Sequence, residues 1–270
     1  MTSLARTLDD LRALDALAAR DTALQRRDPR AKLIATLLFI VTVVSLDRYS
    51  VAALLPLALY PTVLAAQGEL PSRLLLRTLW LASPFALMIG IFNPLLDRAT
   101  LLTLGGVDVS GGWISLASIL LRFGLTAAAA VVLLAGTGMP ALCAALSQLG
   151  VPRVFTVQLL FLHRYLFVLA GEALRMTTAR ELRAGPGARM SLAVHASLLG
   201  HLLLRAFARA QRVHAAMLAR GFDGELRLAG HWHWRLGDTL FIVGWCAFFV
   251  AVRWVDVPNL IGALLLGAAG

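Results

Sequence analysis

The sequence has few of the residues on which catalytic and metal chemistry most often depends. Its two cysteines, Cys143 and Cys246, lie far apart in apolar surroundings, and there is no CxxC pair. They are therefore predicted to be packing residues rather than a disulfide framework or a metal site. The single lysine, Lys32, lies in RAKLIA and not in a GxxxxGK[ST] loop, where a lysine reaches the nucleotide phosphates. Any ATP hydrolysis must therefore come from another chain.

Histidine and carboxylate chemistry is also poorly represented. HExxH is absent. In HWHW (231–234), His231 and His233 could hold a divalent ion, but the two tryptophans favour an aromatic belt beside a membrane. Asp223 and Glu225 indicate a cap or a salt-bridge partner for Arg220 rather than a catalytic pair. We therefore expect no catalytic residue, no cofactor and no metal site in this chain.

Apolar residues make up 59% of the 270-residue chain, the mean hydropathy is +0.77, and the apolar residues fall in long blocks. This pattern predicts an all-α integral membrane protein with about five transmembrane helices. The block 258–269 is too short to cross alone, and it either re-enters the membrane or lies along it. The predicted spans are about 31–46, 51–66, 78–96, 113–137 and 238–255.

The net charge of +10 indicates topology and lipid contact rather than nucleic-acid binding. Segments 1–32, 67–77 and 138–237 together carry 21 of the 25 Lys and Arg residues. The positive-inside rule therefore places the N-terminus and the long 138–237 region in the cytoplasm. Arg122 lies inside a predicted span, and it either faces the bundle near a helix end or belongs to a transport path.

Four regions follow from this layout. Residues 1–30 form a cytoplasmic amphipathic segment that lacks the apolar core of a signal peptide. Residues 31–137 form a four-helix transmembrane region, 138–237 a cytoplasmic helical region, and 238–270 a C-terminal transmembrane region. The chain is therefore expected in a cell membrane as a multi-pass protein.

The 138–237 region is predicted to contain a short helix and a pair of long helices. Gly150 ends the short helix, and the first long helix runs from Pro152 to about Leu182. AGPGAR (184–189) is a turn, and the second long helix runs from about Ser191 to Arg220. Arginines form a stripe on each long helix. On periodicity alone, this pattern also fits a basic amphipathic helix that rests on anionic lipid.

Several stretches resemble the transmembrane T component of energy-coupling factor (ECF) ABC transporters, in particular the CbiQ family of cobalt uptake systems. The resemblance covers nearly the whole chain and extends to the arrangement of spans. The matching stretches are DPRAKL (28–33), FNPLL (92–96), GVPRVFTVQLLFLHRYLFVLAGEALRM (150–176) and MLARGFDGEL (217–226).

In that family, two Ala-Arg-Gly-like motifs end long coupling helices, and each arginine docks on a cytoplasmic ATPase. By position, the second motif is Ala219, Arg220 and Gly221, a full match. The first motif has Arg183 followed by Ala184, so only its arginine matches the Ala-Arg-Gly pattern. Arg180 is therefore an alternative candidate for the arginine of this motif. Asp223 is a weaker candidate for the same contact.

The resemblance implies a non-enzymatic subunit that transmits ATP-driven motion to a separate membrane subunit that binds cobalt ion. Its implied partners are CbiO-like ATPases, a CbiM-like substrate-binding subunit, a small CbiN-like subunit and membrane lipid, but not nucleic acid. A nickel or vitamin transporter of the same type is the alternative. A basic amphipathic membrane scaffold and a membrane enzyme are more remote alternatives.

Overall fold

The structure, a computed structural model, describes residues 3–47, 51–92, 100–104, 107–185, 191–224 and 232–254. The predicted block 258–269 lies outside these residues. The chain divides into two compact units. One unit contains residues 1–16 and 139–230, and the other contains residues 17–138 and 231–270. We call them the helical-pair unit and the bundle unit.

The bundle unit contains most of the predicted spans. Its helices, with the end of α1 (Ser3–Ala18), are α2 (Pro29–Ser45), α3 (Val51–Leu57), α4 (Leu59–Gln67), α5 (Ser72–Gly90), α6 (Gly111–Thr137) and α10 (Leu236–Trp254). Asp28 caps α2 by accepting a hydrogen bond from the backbone amide of Arg30, and Pro29 occupies the first helical position. Both residue types are favoured there, because the cap pairs a free amide and proline has none to pair.

Proline explains why the second predicted span is two helices. Pro56 lies inside α3 and Pro61 inside α4, and the helices meet at Ala58. Pro61 has no amide hydrogen to donate to the carbonyl of Leu57, so the helical hydrogen-bond ladder is interrupted there. The prolines were noted in the sequence, but the break between α3 and α4 was not predicted from them.

The third predicted span begins and ends earlier than expected. Helix α5 covers Ser72–Gly90, whereas the apolar block was placed at 78–96. Arg73 and Arg77, which were assigned to a loop, lie in the first turns of this helix. The apolar pattern therefore marked the lipid-compatible part of the helix and not its start.

A short antiparallel hairpin precedes α6. Strand β1 (Thr100–Leu104) pairs with β2 (Val107–Ser110), where the sequence had indicated only loop glycines. The hairpin is small beside the helices, and the all-α membrane class is confirmed.

Aromatic side chains fill the core of the bundle unit. The rings of Phe39 and Tyr60 stack at 4.6 Å, and Trp245 meets Tyr60 edge-on at 4.8 Å. The Tyr60 hydroxyl is 2.8 Å from the Thr36 hydroxyl, so its polar end is paired although the residue is buried. These contacts join α2, α4 and α10.

The helical-pair unit contains α7 (Met139–Gln148), α8 (Arg153–Ala184) and α9 (Leu192–Ala219), together with the first part of α1. Gly150 follows α7 with φ +96°, and Ser191 caps α9 by accepting from the amide of Val194. The predicted helix ends at Gly150 and Ser191 are therefore where the structure has them. In the same unit, His163 on α8 lies 3.0 Å from the carboxylate of Asp15.

Three of the described helices are long and apolar enough to cross a membrane: α6, α8 and α10. Helix α8 is among them, although the distribution of Lys and Arg predicts that it lies in the cytoplasm. Its apolar residues, such as Phe155 and Leu162, are exposed within the structure. Its position relative to the membrane stays a prediction.

Candidate functional site

The end of α9 has a backbone geometry that explains the Ala219-Arg220-Gly221 sequence. Gly221 has φ +77°. The amide of Phe222 donates to the carbonyl of Met217 at 3.0 Å, and the amide of Gly221 donates to the carbonyl of Leu218 at 3.0 Å. This is a Schellman motif, in which a left-handed residue, usually glycine, lets the last carbonyls find donors. The turn at Gly221 thus stops the helix, and Arg220 is the residue immediately before it.

Arg220 lies at the helix terminus and is exposed, as are Ala219 and Gly221. A side chain added at Gly221 would meet nothing within 4 Å, so its requirement for glycine is conformational and not steric. Asp223, the weaker candidate, is also exposed and has an interaction partner. Within the described residues, Arg220 makes no ion pair. Its guanidinium is therefore accessible to a partner chain.

The end of α8 also has a glycine with positive φ, but its turn is different. Gly185 is the C-cap residue, with φ +78° and ψ 170°, which is not the left-handed helical conformation of a Schellman motif, and Ala184 rather than an arginine immediately precedes it. Arg183 is one residue further back, is exposed, and has no ion pair among the residues described. Arg180 lies one turn earlier and has an interaction partner. This difference favours Arg183 over Arg180 as the accessible arginine. We call Arg183 and Arg220 the tip arginines.

The two tip arginines lie at opposite ends of the helix pair. Helices α8 and α9 are joined by a short segment and run antiparallel, with Glu172 on α8 paired with Arg205 on α9. From that pair, Arg183 is 11 residues along α8 and Arg220 is 15 residues along α9, in opposite directions. At about 1.5 Å per residue, the tip arginines are separated by roughly 40 Å along the pair.

Glu172 forms ion pairs with two arginines near the middle of the pair. Its carboxylate accepts hydrogen bonds from Arg175, at 2.6 Å, and from Arg205. Sequence periodicity had grouped these arginines with the others in the stripes. The shared carboxylate distinguishes them, because it offsets one of their two positive charges inside the unit.

An apolar groove runs between α8 and α9. Its volume is about 690 Å³, and among its lining residues are Leu162, Tyr165, Leu169, Phe207, Val213 and Met217. Phe222, which follows the second tip, also lines it. The Schellman motif therefore places Met217 and Phe222, joined by a backbone hydrogen bond, at one end of the groove.

The DPRAKL stretch forms a polar cluster that sequence reasoning did not foresee. The Asp28 carboxylate accepts hydrogen bonds from the Arg30 side chain at 2.9 and 3.0 Å. The Asp28 amide donates to the Asp238 carboxylate at 3.2 Å, and the latter also caps α10 by accepting from the Arg235 amide at 3.0 Å. The buried Lys32 ammonium donates to the Gly136 carbonyl at 3.0 Å. We call this set the polar clamp.

The polar clamp fixes the starts of α2 and α10 and the end of α6 against one another. Arg27 adds a hydrogen bond to the Gly237 carbonyl at 3.2 Å and lies 4.7 Å from the centroid of the Phe241 ring. Burial raises the pKa of Asp28, but the hydrogen bonds and charge of Arg30 outweigh it and hold the pKa below 3.8. Asp28 is therefore an ionised buried carboxylate at neutral pH.

Trp234 contacts the same cluster. The Arg30 guanidinium lies 5.4 Å from the centroid of its ring, and its indole donates to the Thr239 hydroxyl at 2.8 Å. Of the two histidines beside it, His231 lies outside the described residues and His233 has an interaction partner. The described part of the chain contains no group of three or more His, Cys, Asp and Glu side chains that could hold a metal ion.

Arg122 is engaged with backbone carbonyls at the end of α2. Its guanidinium donates to the carbonyls of Leu46, at 2.8 Å, and Asp47, and its Nε donates to the Ser118 hydroxyl at 3.1 Å. The last carbonyls of a helix have no partner within it, and Arg122 supplies donors for the carbonyls that follow α2. Of the two interpretations offered above, the contacts match a bundle-facing arginine.

Comparison with known proteins agrees with the resemblance. The CbiQ family profile, described as a cobalt transport protein, matches residues 20–232, which include both tip arginines. The chain is 29% identical over 164 residues to the cobalt transport protein CbiQ of Salmonella typhimurium, covering 55% of this chain and 72% of that one. It is 40% identical over 70 residues to the cobalt transport protein CbiQ of Rhodobacter capsulatus, covering 26% and 29%. An uncharacterized protein of Methanocaldococcus jannaschii is 29% identical over 82 residues, covering 30% and 31%.

Proposed function

Because the chain belongs to the CbiQ family of cobalt transport proteins, we propose that it is the transmembrane coupling subunit of an ECF-type ABC transporter for cobalt import. In this role it carries no catalytic residue of its own. Two CbiO-like ATPase subunits would supply the energy, and a CbiM-like membrane subunit, with a small CbiN-like chain, would bind the ion. The N-terminus and the pair α8–α9 would face the cytoplasm.

The observation that carries this proposal is the geometry of the tips. Arg220 is exposed, has no ion pair among the described residues, and lies at the end of a helix held by a Schellman motif. Arg183 is a second exposed cation, roughly 40 Å away at the other end of an antiparallel pair. A helix pair with a cation at each end is suited to contact two equivalent subunits, one at each tip. Movement of those subunits would then tilt or separate α8 and α9.

The apolar groove suggests how the movement is transmitted. It lies between α8 and α9, so a change in their relative position changes its width. A membrane subunit packed against this groove would be displaced when the width of the groove changes. We assign the groove to contact with the substrate-binding subunit, whose displacement would release the ion inward.

The test is a double charge reversal, Arg183→Glu with Arg220→Glu, in the assembled transporter. We expect loss of the ATPase subunits during purification while membrane insertion is retained. A double Arg→Lys variant should also lose much of the contact if it is forked, since lysine lacks the planar donor pair of arginine. A basic lipid scaffold would accept lysine at both positions. Retention of the ATPases by the Glu variant would refute the coupling role of these arginines.

A further inference from the structure

A second groove between α8 and α9 is lined by arginines. Its volume is about 460 Å³, and Arg164 from α8 and Arg209 and Arg212 from α9 line it, together with Tyr165 and Val213. We call it the arginine groove. None of the described residues that line it carries a carboxylate. It therefore concentrates positive charge between the two tip arginines rather than at either one.

The arginine groove opens on the side of the helix pair opposite the apolar groove. At 100° per residue, Arg209 and Arg212 lie on one side of Val213, and Ala210 and Met217 lie on the other. On α8, Arg164 and Leu162 diverge from Tyr165 in the same way. Tyr165, Arg209 and Val213 line both grooves and lie between them, whereas Arg164 and Arg212 line the arginine groove and not the apolar one. The pair thus has an apolar face and a basic face.

The charge of the arginine groove is not compensated within the structure. Among the described residues, Arg164, Arg209 and Arg212 have no carboxylate partner. Nearby on the same pair, Arg175 and Arg205 share Glu172. Three like charges lining one groove repel one another, and an acidic partner would relieve that repulsion. The contrast identifies the groove as a site for an external anion.

We propose that the arginine groove binds an acidic segment of the ATPase subunits, as a third contact between the two tips. This inference rests on the coupling function proposed above. A protein partner is favoured over a lipid headgroup by the arrangement of the faces. A lipid with its chains against the apolar groove could reach Arg209, which lines both grooves, but its phosphate would have to pass around a helix about 10 Å thick to reach Arg164 and Arg212. An acidic surface on the aqueous side reaches them directly.

The experiment compares three variants in the transporter purified with its ATPase subunits. The groove variant is Arg164→Gln, Arg209→Gln and Arg212→Gln. The matched control is Arg175→Gln with Arg205→Gln, which removes arginines already paired with Glu172. The tip variant, Arg183→Glu with Arg220→Glu, reports on the coupling function by itself. Helicity and thermal unfolding in detergent confirm that each variant is folded.

The affinity of the membrane subunit for the purified ATPases is measured at low and at high salt. We expect the groove variant to bind about tenfold more weakly at low salt, with a shallower salt dependence, and the control to bind as the wild type does.

Unchanged binding by the groove variant, or equal weakening in the control, would overturn the inference. If binding to vesicles with anionic lipid fell instead, the ligand would be a lipid and the inference would be wrong. In each case, loss of binding in the tip variant would leave the coupling function standing. Failure of the wild type to bind ATPases would refute both.

Discussion

The backbone amide of Phe222 donates to the carbonyl of Met217, and both side chains line the apolar groove. The turn that exposes Arg220 therefore also closes one end of the groove between the long helices. This links the proposed contact with the ATPases to the surface that we assign to the substrate-binding subunit. A change at the turn should affect both.

Gly221→Ala tests this turn. Gly221 has φ +77°, a conformation that costs a residue with a Cβ about 1–2 kcal/mol. We expect faster hydrogen exchange in the last turn of α9 and weaker retention of the ATPases. Gly221→Asn should be milder, because asparagine tolerates the left-handed region. Hydrogen exchange followed by mass spectrometry gives the local readout.

Gly200→Ala is the matched control for that substitution. Gly200 lies inside α9, and an added methyl group would meet nothing within 4 Å. Alanine should therefore stabilise the helix by about 0.5–1 kcal/mol. If Gly221→Ala were as harmless as Gly200→Ala, the Schellman turn would not hold the tip in place.

Asp28→Ala tests the polar clamp. The substitution removes the cap of α2 and leaves the Arg30 side chain without its carboxylate. We expect a loss of about 1–3 kcal/mol of unfolding free energy, measured by thermal or denaturant unfolding in detergent. Asp21→Ala is the control, because Asp21 is exposed and its ion-pair partner among the described residues is the exposed Arg26. Equal effects of the two substitutions would mean that the clamp contributes nothing specific.

The clamp also predicts a pH dependence. The folded pKa of Asp28 is lower than its ordinary value of 3.8, so the native state favours the ionised form. The resulting stability is fully present above the unfolded pKa and is lost as pH falls through the folded pKa. The difference in melting temperature between the wild type and Asp28→Asn should therefore be constant from pH 7 to about pH 4 and should begin to shrink as the pH falls from there towards 3. A difference that stays constant down to about pH 3 would contradict the assignment.

Arg122→Leu tests the cap at the other end of α2. The variant leaves the carbonyls of Leu46 and Asp47 without their donor, and we expect a loss of about 1–3 kcal/mol. Arg122→Lys should restore part of it, since an ammonium can still reach one carbonyl. A transport-path role would instead leave stability unchanged and reduce cobalt uptake. Thermal unfolding and uptake, measured on the same variants, separate the two roles.

Local signals in the sequence predicted the helix ends well, because glycine, proline and serine act on the backbone beside them. Gly150, Ser191 and Gly221 each mark a helix end where it was predicted. The start of α5 was missed, because Arg73 and Arg77 are compatible with a helix even where they are not compatible with lipid. The apolar content of a segment indicates whether it is compatible with lipid. It does not show where the helical backbone hydrogen bonds begin.

Long-range pairing was beyond the sequence. Nothing near Asp28 indicates that Asp238 lies beside it, and the family stretch DPRAKL was recognised without its contacts. Periodicity likewise placed Arg205 and Arg209 on one stripe, although only Arg205 is paired with Glu172. Whether an arginine of α9 is paired depends on which residue of α8 lies opposite it. The packing of the two helices determines this, and the sequence of α9 alone does not.

The coupling function is tested most directly by extracting the tagged chain from its native membranes in mild detergent and identifying what accompanies it by mass spectrometry. The account predicts recovery of a P-loop ATPase and a small membrane subunit that binds cobalt. It also predicts that the ATPase is lost with Arg183→Glu and Arg220→Glu. Recovery of this chain alone, under conditions that keep other ABC transporters intact, would contradict the account.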